Sequence, residues 1–206
     1  MNLSKNYNPI LILTALPFES RAILSHHNIN IKPKKLTTYH LEDSIYLLEV
    51  PIGFKFDPSI LNHEAEKSSP ELLVNFGICG VVDGSIPIGS AFNIQAVYHL
   101  DREFSKIQLS MIETPFQSES LLTVDEPVLS TKRSQELYSQ TDCKLVDMEA
   151  FHIARFCEAR SLPLLIVKIA SDFADENTLN VIKANRSQLK QSLTVAYLKL
   201  MSNLSQ

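Results

Sequence analysis

Three acids stand where chemistry could be done: Glu19, just past Leu16-Pro17; Glu149, inside Val146-Asp147-Met148-Glu149-Ala150; and Asp172, which closes Leu164-Leu165-Ile166-Val167-Lys168-Ile169-Ala170-Ser171-Asp172. Each borders a segment that otherwise reads as core. Ionised carboxylates are costly to bury unless paired or hydrogen-bonded, so acids at the ends of apolar runs point to a cleft that binds something polar. Each acid also has a plainer reading. Glu149 and Glu19 both fall in the first turn of a helix, where an acid can simply offset the macrodipole or sit in solvent. Ser171 and Asp172 are preferred helix caps. Desolvation of Asp172 behind a buried strand would instead raise its pKa and keep a proton ready for delivery.

The 206-residue chain is long enough for one large domain with a substantial core, and we read residues 1–206 as that single domain. A formal charge of −4 and no basic cluster beyond pairs such as Lys34-Lys35 and Lys132-Arg133 give no attraction for a polyanion, so nucleic acid is not an expected partner. The longest apolar runs, such as Leu162 to Val167, are too short to span a bilayer, and Met1 to Pro9 lacks the pattern of a secretion signal. A cytoplasmic protein without a membrane span is expected. Cys79, Cys143 and Cys157 are odd in number and lack CxxC spacing, which predicts packing residues. His26, His27, His40, His63, His99 and His152 show no metal-ligand spacing, and His152 reads as structural. No metal and no other cofactor is expected.

Positioning these acids requires alternating elements. Ile10 to Leu13 reads as a buried strand, and Thr14-Ala15-Leu16-Pro17 turns the chain into a helix carrying Glu19, Ala22, Ile23 and Leu24. Ile45 to Val50 predicts a strand, Ile60 to Lys67 a short helix and Leu72 to Phe76 another buried strand. Four of the five glycines, Gly77, Gly80, Gly84 and Gly89, then fall within residues 77–89. They imply either a loop shaped around a bound molecule or a turn plus a hairpin. Ala91 to Val97 and Ser120 to Val124 read as strands, Asp101 to Ser120 as a strand bearing a loop, and Thr131 to Ser139 as a polar helix. The spacing of Ala150, Ile153, Ala154 and Cys157 marks a helix over Asp147 to Arg160, and Leu162 to Ala170 is a β-rich run. Leu189, Leu193, Ala196 and Leu200 line one side of a helix from Thr178 to Leu204. The result is an α/β fold, a single domain with a central mixed β-sheet flanked by helices, in which ligands sit beyond the carboxyl ends of strands.

Ala15-Leu16-Pro17-Phe18-Glu19, Asn75-Phe76-Gly77-Ile78-Cys79-Gly80, Val146-Asp147-Met148-Glu149-Ala150 and Ile169-Ala170-Ser171-Asp172 resemble, in order and spacing, the nucleoside phosphorylase and nucleosidase superfamily. Methylthioadenosine/S-adenosylhomocysteine nucleosidases carry similar blocks. Phe76-Gly77-Ile78 and Thr123-Val124-Asp125-Glu126-Pro127-Val128 look more like futalosine hydrolases and the hopanoid-associated phosphorylase-like branch. The resemblance runs from about residue 10 to 200 and implies a phosphorylase/hydrolase-like fold that cleaves an N-glycosidic bond.

It also implies roles: Asp172 for the base, held by Ser171; Glu149 for ribose hydroxyls, with Met148 packed near the sugar; and Glu19 for the attacking water. Cys79 and Gly80 belong to the matching glycine segment, and Pro127 and Val128 align with the base-stacking segment, here without an aromatic ring. Lys168 stands where nucleosidases usually have arginine, and would offer one mobile cation in place of a planar fork if it pointed into the cleft. Ile78 stands where a phosphorylase would place a phosphate-binding serine, with Arg21 and Lys168 left as possible cations. The expected activity is release of free base by water from a purine nucleoside or 5′-modified adenosine derivative. A phosphorolytic enzyme and a catalytically weak nucleoside-binding protein are the alternatives. The resemblance implies a homo-oligomer, a dimer as in nucleosidases or a trimer or hexamer as in phosphorylases, of which we expect the homodimer, and residues 101–120 are expected to line the 5′ end.

Overall fold

Parallel strands buried on both faces carry continuous apolar runs, and two such runs anchor the structure. A computed structural model describes residues 7–54, 58–100 and 104–205. In it, β1 (Ile10–Thr14) is buried throughout, and so is every residue of β9 (Leu164–Asp172). Between them come β2 (Thr38–Glu42), β3 (Ile45–Glu49), β4 (Leu72–Val81), β5 (Ala91–Leu100), β6 (Phe104–Gln108), β7 (Gln117–Thr123) and β8 (Leu145–Asp147). The helices are α1 (Pro17–His26), α2 (Pro58–Ser68), α3 (Thr131–Thr141), α4 (Ala150–Glu158), α5 (Thr178–Ala184) and α6 (Arg186–Leu204).

The described strands form one mixed sheet in the order β2-β3-β1-β4-β8-β7-β5-β6, with β9 paired to both β4 and β5. β4, β9, β5, β7 and β8 therefore close on one another as a ring, and β1, β3 and β2 extend it beyond β4. Alternation along β1 divides the core. Leu11 and Leu13 join Ile153, Ala154 and Cys157 of α4 on one face, while Ile10 and Ile12 join Ala22 and Ile23 of α1 and Leu189, Leu193 and Leu200 of α6 on the other. No described helix is long and apolar enough to cross a membrane.

Several elements depart from the sequence reading. β4 does not end at Phe76 but continues to Val81, so Gly77 and Gly80 lie inside a strand, paired with Lys168 and Asp172 of β9. Gly84 and Gly89, with φ of 69° and 92°, supply the turn chemistry. β2 and β8 are additional strands: β2 is an edge strand only half-buried, and β8 is three residues long, too short for a periodic signal. β6 lies within the mixed stretch, whose residues 101–103 fall outside the described ones. The C-terminal helix breaks at Asn185, which closes α5 and caps α6. Glu149 precedes α4 as its N-cap and makes no capping bond with its side chain.

Candidate active site

The carboxyl ends of β1, β4, β7, β8 and β9 converge on one cavity of about 510 Å³, within the size range of small-molecule sites. Glu19, Ile78, Cys79, Gly80, Pro127, Val128, Met148, Glu149, Ser171 and Asp172 all line it. Lys168 does not. Neither does Arg21, nor any described residue of 104–120, so the expectation that residues 101–120 border the ligand fails for the part described.

Glu19 is held at the cavity floor by the start of α1. Pro17 opens that helix, and the Glu19 carboxylate reaches back to accept the backbone N–H groups of Ala15 (2.9 Å) and Leu16 (2.8 Å) through Oε2. Its Oε1 accepts the N–H of Ile78 in β4 at 2.8 Å. The side chain is buried, which rules out the solvated reading. Burial raises its pKa above the ordinary value, and the opposing N–H groups and the Lys168 charge do not reverse that direction. Gly77 makes the arrangement possible, because a Cβ there would come within 2.6 Å of Glu19 Oε1.

Glu149 enters from the β8–α4 junction, and its Oε1 accepts the N–H of Gly53 at 2.7 Å. Burial, then repulsion from Asp147, pushes its carboxyl up to about 7. The helix terminus favours the ionised form, but burial and a second acid outweigh the dipole. Asp147 instead serves that terminus, accepting the Ala150 N–H at 3.0 Å through Oδ2.

Asp172 ends β9 rather than capping a helix. Its Oδ1 accepts the Ala174 N–H and the Thr178 hydroxyl, both at 2.9 Å, and its Oδ2 lies 2.6 Å from Ser171 Oγ. Ser171 Oγ is also 3.0 Å from the carbonyl oxygen of Cys79. Gly80 leaves room here, since a Cβ would come within 3.2 Å of Asp172 Oδ1.

Lys168 lies buried behind this wall, with Nζ 2.7 Å from Asp147 Oδ2. Burial presses its ammonium toward neutrality, but the charges of Asp147, Glu149 and Glu19 outweigh that and raise its pKa. It neutralises a neighbouring acid and offers no mobile cation to the cleft. The three cysteines are buried and free, as packing residues would be, although Cys79 also faces the cavity.

Sequence reasoning missed Asp147, Thr123, Thr178, Gly53 and Phe18. Asp147 had a signal: it sits two residues from Glu149 in a segment otherwise read as core, and it accepts from Lys168 and from the Thr123 hydroxyl at 2.7 Å. Phe18 is the aromatic ring among the described lining residues and comes from α1, not from the Pro127 segment. Ile52, Leu179 and Ile182 make the remaining wall apolar.

A family model described as the phosphorylase superfamily matches residues 95–199. No curated protein matches the chain significantly in sequence. Among solved structures, a mutant methylthioadenosine nucleosidase of Helicobacter pylori with 5′-methylthioadenosine in its active site superposes with a TM-score of 0.78 at 17% identity, covering 96% of this chain and 98% of that one. A Chlamydia trachomatis nucleosidase of the same kind, bound to methylthioadenosine, gives a TM-score of 0.71 at 23% identity over 95% and 98% of the two chains. Futalosine hydrolase of Helicobacter pylori gives 0.75 at 15% identity over 95% and 96%.

Proposed function

The chain belongs to the phosphorylase superfamily, and we propose that it cleaves the N-glycosidic bond of a purine nucleoside or 5′-modified adenosine derivative with water, releasing free base. The observation that carries this reading is the convergence of Glu19, Glu149 and Asp172 on one cavity from three different strand ends.

The chemistry follows from their surroundings. Three backbone N–H groups occupy Glu19, and a carboxylate has about four acceptor sites, so roughly one remains for a water. A raised pKa makes Glu19 a stronger base toward that water. Glu149, once ionised, accepts from two ribose hydroxyls. Ser171 Oγ, 2.6 Å from Asp172 Oδ2 and 3.0 Å from the carbonyl oxygen of Cys79, holds the Asp172 carboxyl in place. Water then adds to C1′ as the bond to the base nitrogen breaks. The bond's electron pair leaves with the base, which takes the proton of Asp172, and Glu19 takes the proton of water.

Water is favoured over phosphate as acceptor by charge. Among the described lining residues there is no lysine or arginine, Lys168 is consumed by Asp147, and an anion would meet Glu19, Asp147 and Glu149. The apolar wall at Ile52, Leu179 and Ile182 suits an apolar 5′ substituent. A cytoplasmic homodimer completes the proposal.

A panel of purine nucleosides and 5′-thioether adenosines, assayed for released base with and without phosphate, tests it. We expect release that phosphate leaves unchanged, and a loss of about 10²–10⁴-fold in kcat for Asp172→Asn. Release that requires phosphate would make the enzyme a phosphorylase. Tight nucleoside binding without release would make the chain a binding protein, and undiminished turnover by the variant would remove Asp172 from the chemistry.

A further inference from the structure

His99 of β5, Asp125 in the turn after β7 and His152 of α4 meet outside the cavity. One potential ligand atom from each lies within 4.8 Å of the other two. His99 Nε2 is 3.3 Å from Asp125 Oδ1, and His152 Nε2 is 3.9 Å from the same oxygen. A His–Asp hydrogen bond requires one imidazole; here two converge on one carboxylate oxygen.

Both rings are fixed by packing. His99 is buried and stacks on Phe151 at 5.1 Å between centroids and 17° between planes. His152 meets it edge-on at 5.2 Å, one turn along α4 from Glu149. Nitrogen and oxygen ligands at 2.0–2.1 Å around tetrahedral zinc lie roughly 3.3–3.5 Å apart. The His99–Asp125 pair already has that spacing, and Asp125, with 70% of its side chain exposed, is free of packing that would stop it closing on His152.

We propose that His99, Asp125 and His152 form a binding site for a divalent first-row transition ion, with zinc as its simplest occupant. Two imidazoles and one carboxylate are a borderline donor set suited to such ions, and three protein ligands leave further positions for water. The ion would take the place of the His99 Nε2–Asp125 Oδ1 hydrogen bond, with the ring proton of His99 on Nδ1 so that Nε2 presents its lone pair. None of the three residues lines the cavity, so the ion is outside the hydrolytic chemistry. Its effect is mechanical: it ties the segment of Val124, Pro127 and Val128, which does line the cavity, to the helix that follows Glu149.

Calorimetric titration of the metal-free chain with zinc alone, together with the visible absorption of added cobalt(II), tests the site. We expect about one ion per chain, cobalt bands typical of nitrogen and oxygen ligation, and a rise in Tm on zinc addition. Asp125→Asn and His152→Gln should each weaken binding by at least about tenfold while far-UV circular dichroism stays that of the wild type. Absence of stoichiometric binding overturns the proposal. So does equal zinc affinity in wild type and both folded variants, which would mark the binding as adventitious.

Discussion

Glu149 shows why a helix-end acid cannot be read from its position alone. Beside Ala150–Glu158 the dipole favours its charge, yet burial and Asp147 move its carboxyl to about 7. Its folded pKa lies above the ordinary value of 4.5, so the folded state binds the extra proton across that interval, and the group's contribution to stability falls as pH rises from about 4.5 to about 7. Acceptance of ribose hydroxyls runs the other way, because it needs the ionised form. Affinity for an uncleavable adenosine analogue should therefore rise about tenfold between about pH 6 and about pH 8, and Glu149→Gln should bind weakly without that slope. A flat wild-type profile in calorimetry would remove Glu149 from sugar recognition. The candidate acids were legible in the sequence because each interrupts or ends an apolar run. The protonation of Glu149 was not, since it also depends on burial and on Gly53 and Lys168, which approach from other elements.

β4 contributes more by what it lacks than by what it carries. Gly77 and Gly80 are strand residues whose missing side chains leave space for Glu19 and Asp172, so their clustering reported close approach rather than the end of a strand. In Gly77→Ala the new methyl would meet Glu19 Oε1, backed by the Ile78 N–H, and the carboxylate must move. We expect a fall in kcat of about a hundredfold and a stability loss of about 1–3 kcal/mol, read from turnover and urea denaturation. Wild-type turnover in that variant would show that the position of Glu19 is not critical. β8 escaped the sequence reading because three residues have no period, yet it sets Asp147 against Lys168 and delivers Glu149. The Lys168 arrangement is visible only once β4, β8 and β9 are brought together.

The ring of β4, β9, β5, β7 and β8 gathers strand ends from distant parts of the chain around one cavity. Ile52, Leu129, Phe173 and Leu179 are exposed apolar side chains, of which Ile52 and Leu179 line that cavity, and a second copy of the chain could cover them. Light scattering should return about twice the 23.2 kDa chain mass, and a monomer at working concentration would exclude the homodimer.

Local pattern was enough for the alternation of strands and helices, the buried runs of β1 and β9, the apolar stripes of α4 and α6, and the three acids, because burial periodicity and the cost of buried charge are written in neighbouring residues. The closing of the strand ring, the Asp147–Lys168 pair, the crowding at Gly77 and the meeting of His99, Asp125 and His152 came from folding, because each joins residues that only strand pairing and helix docking bring within bonding distance.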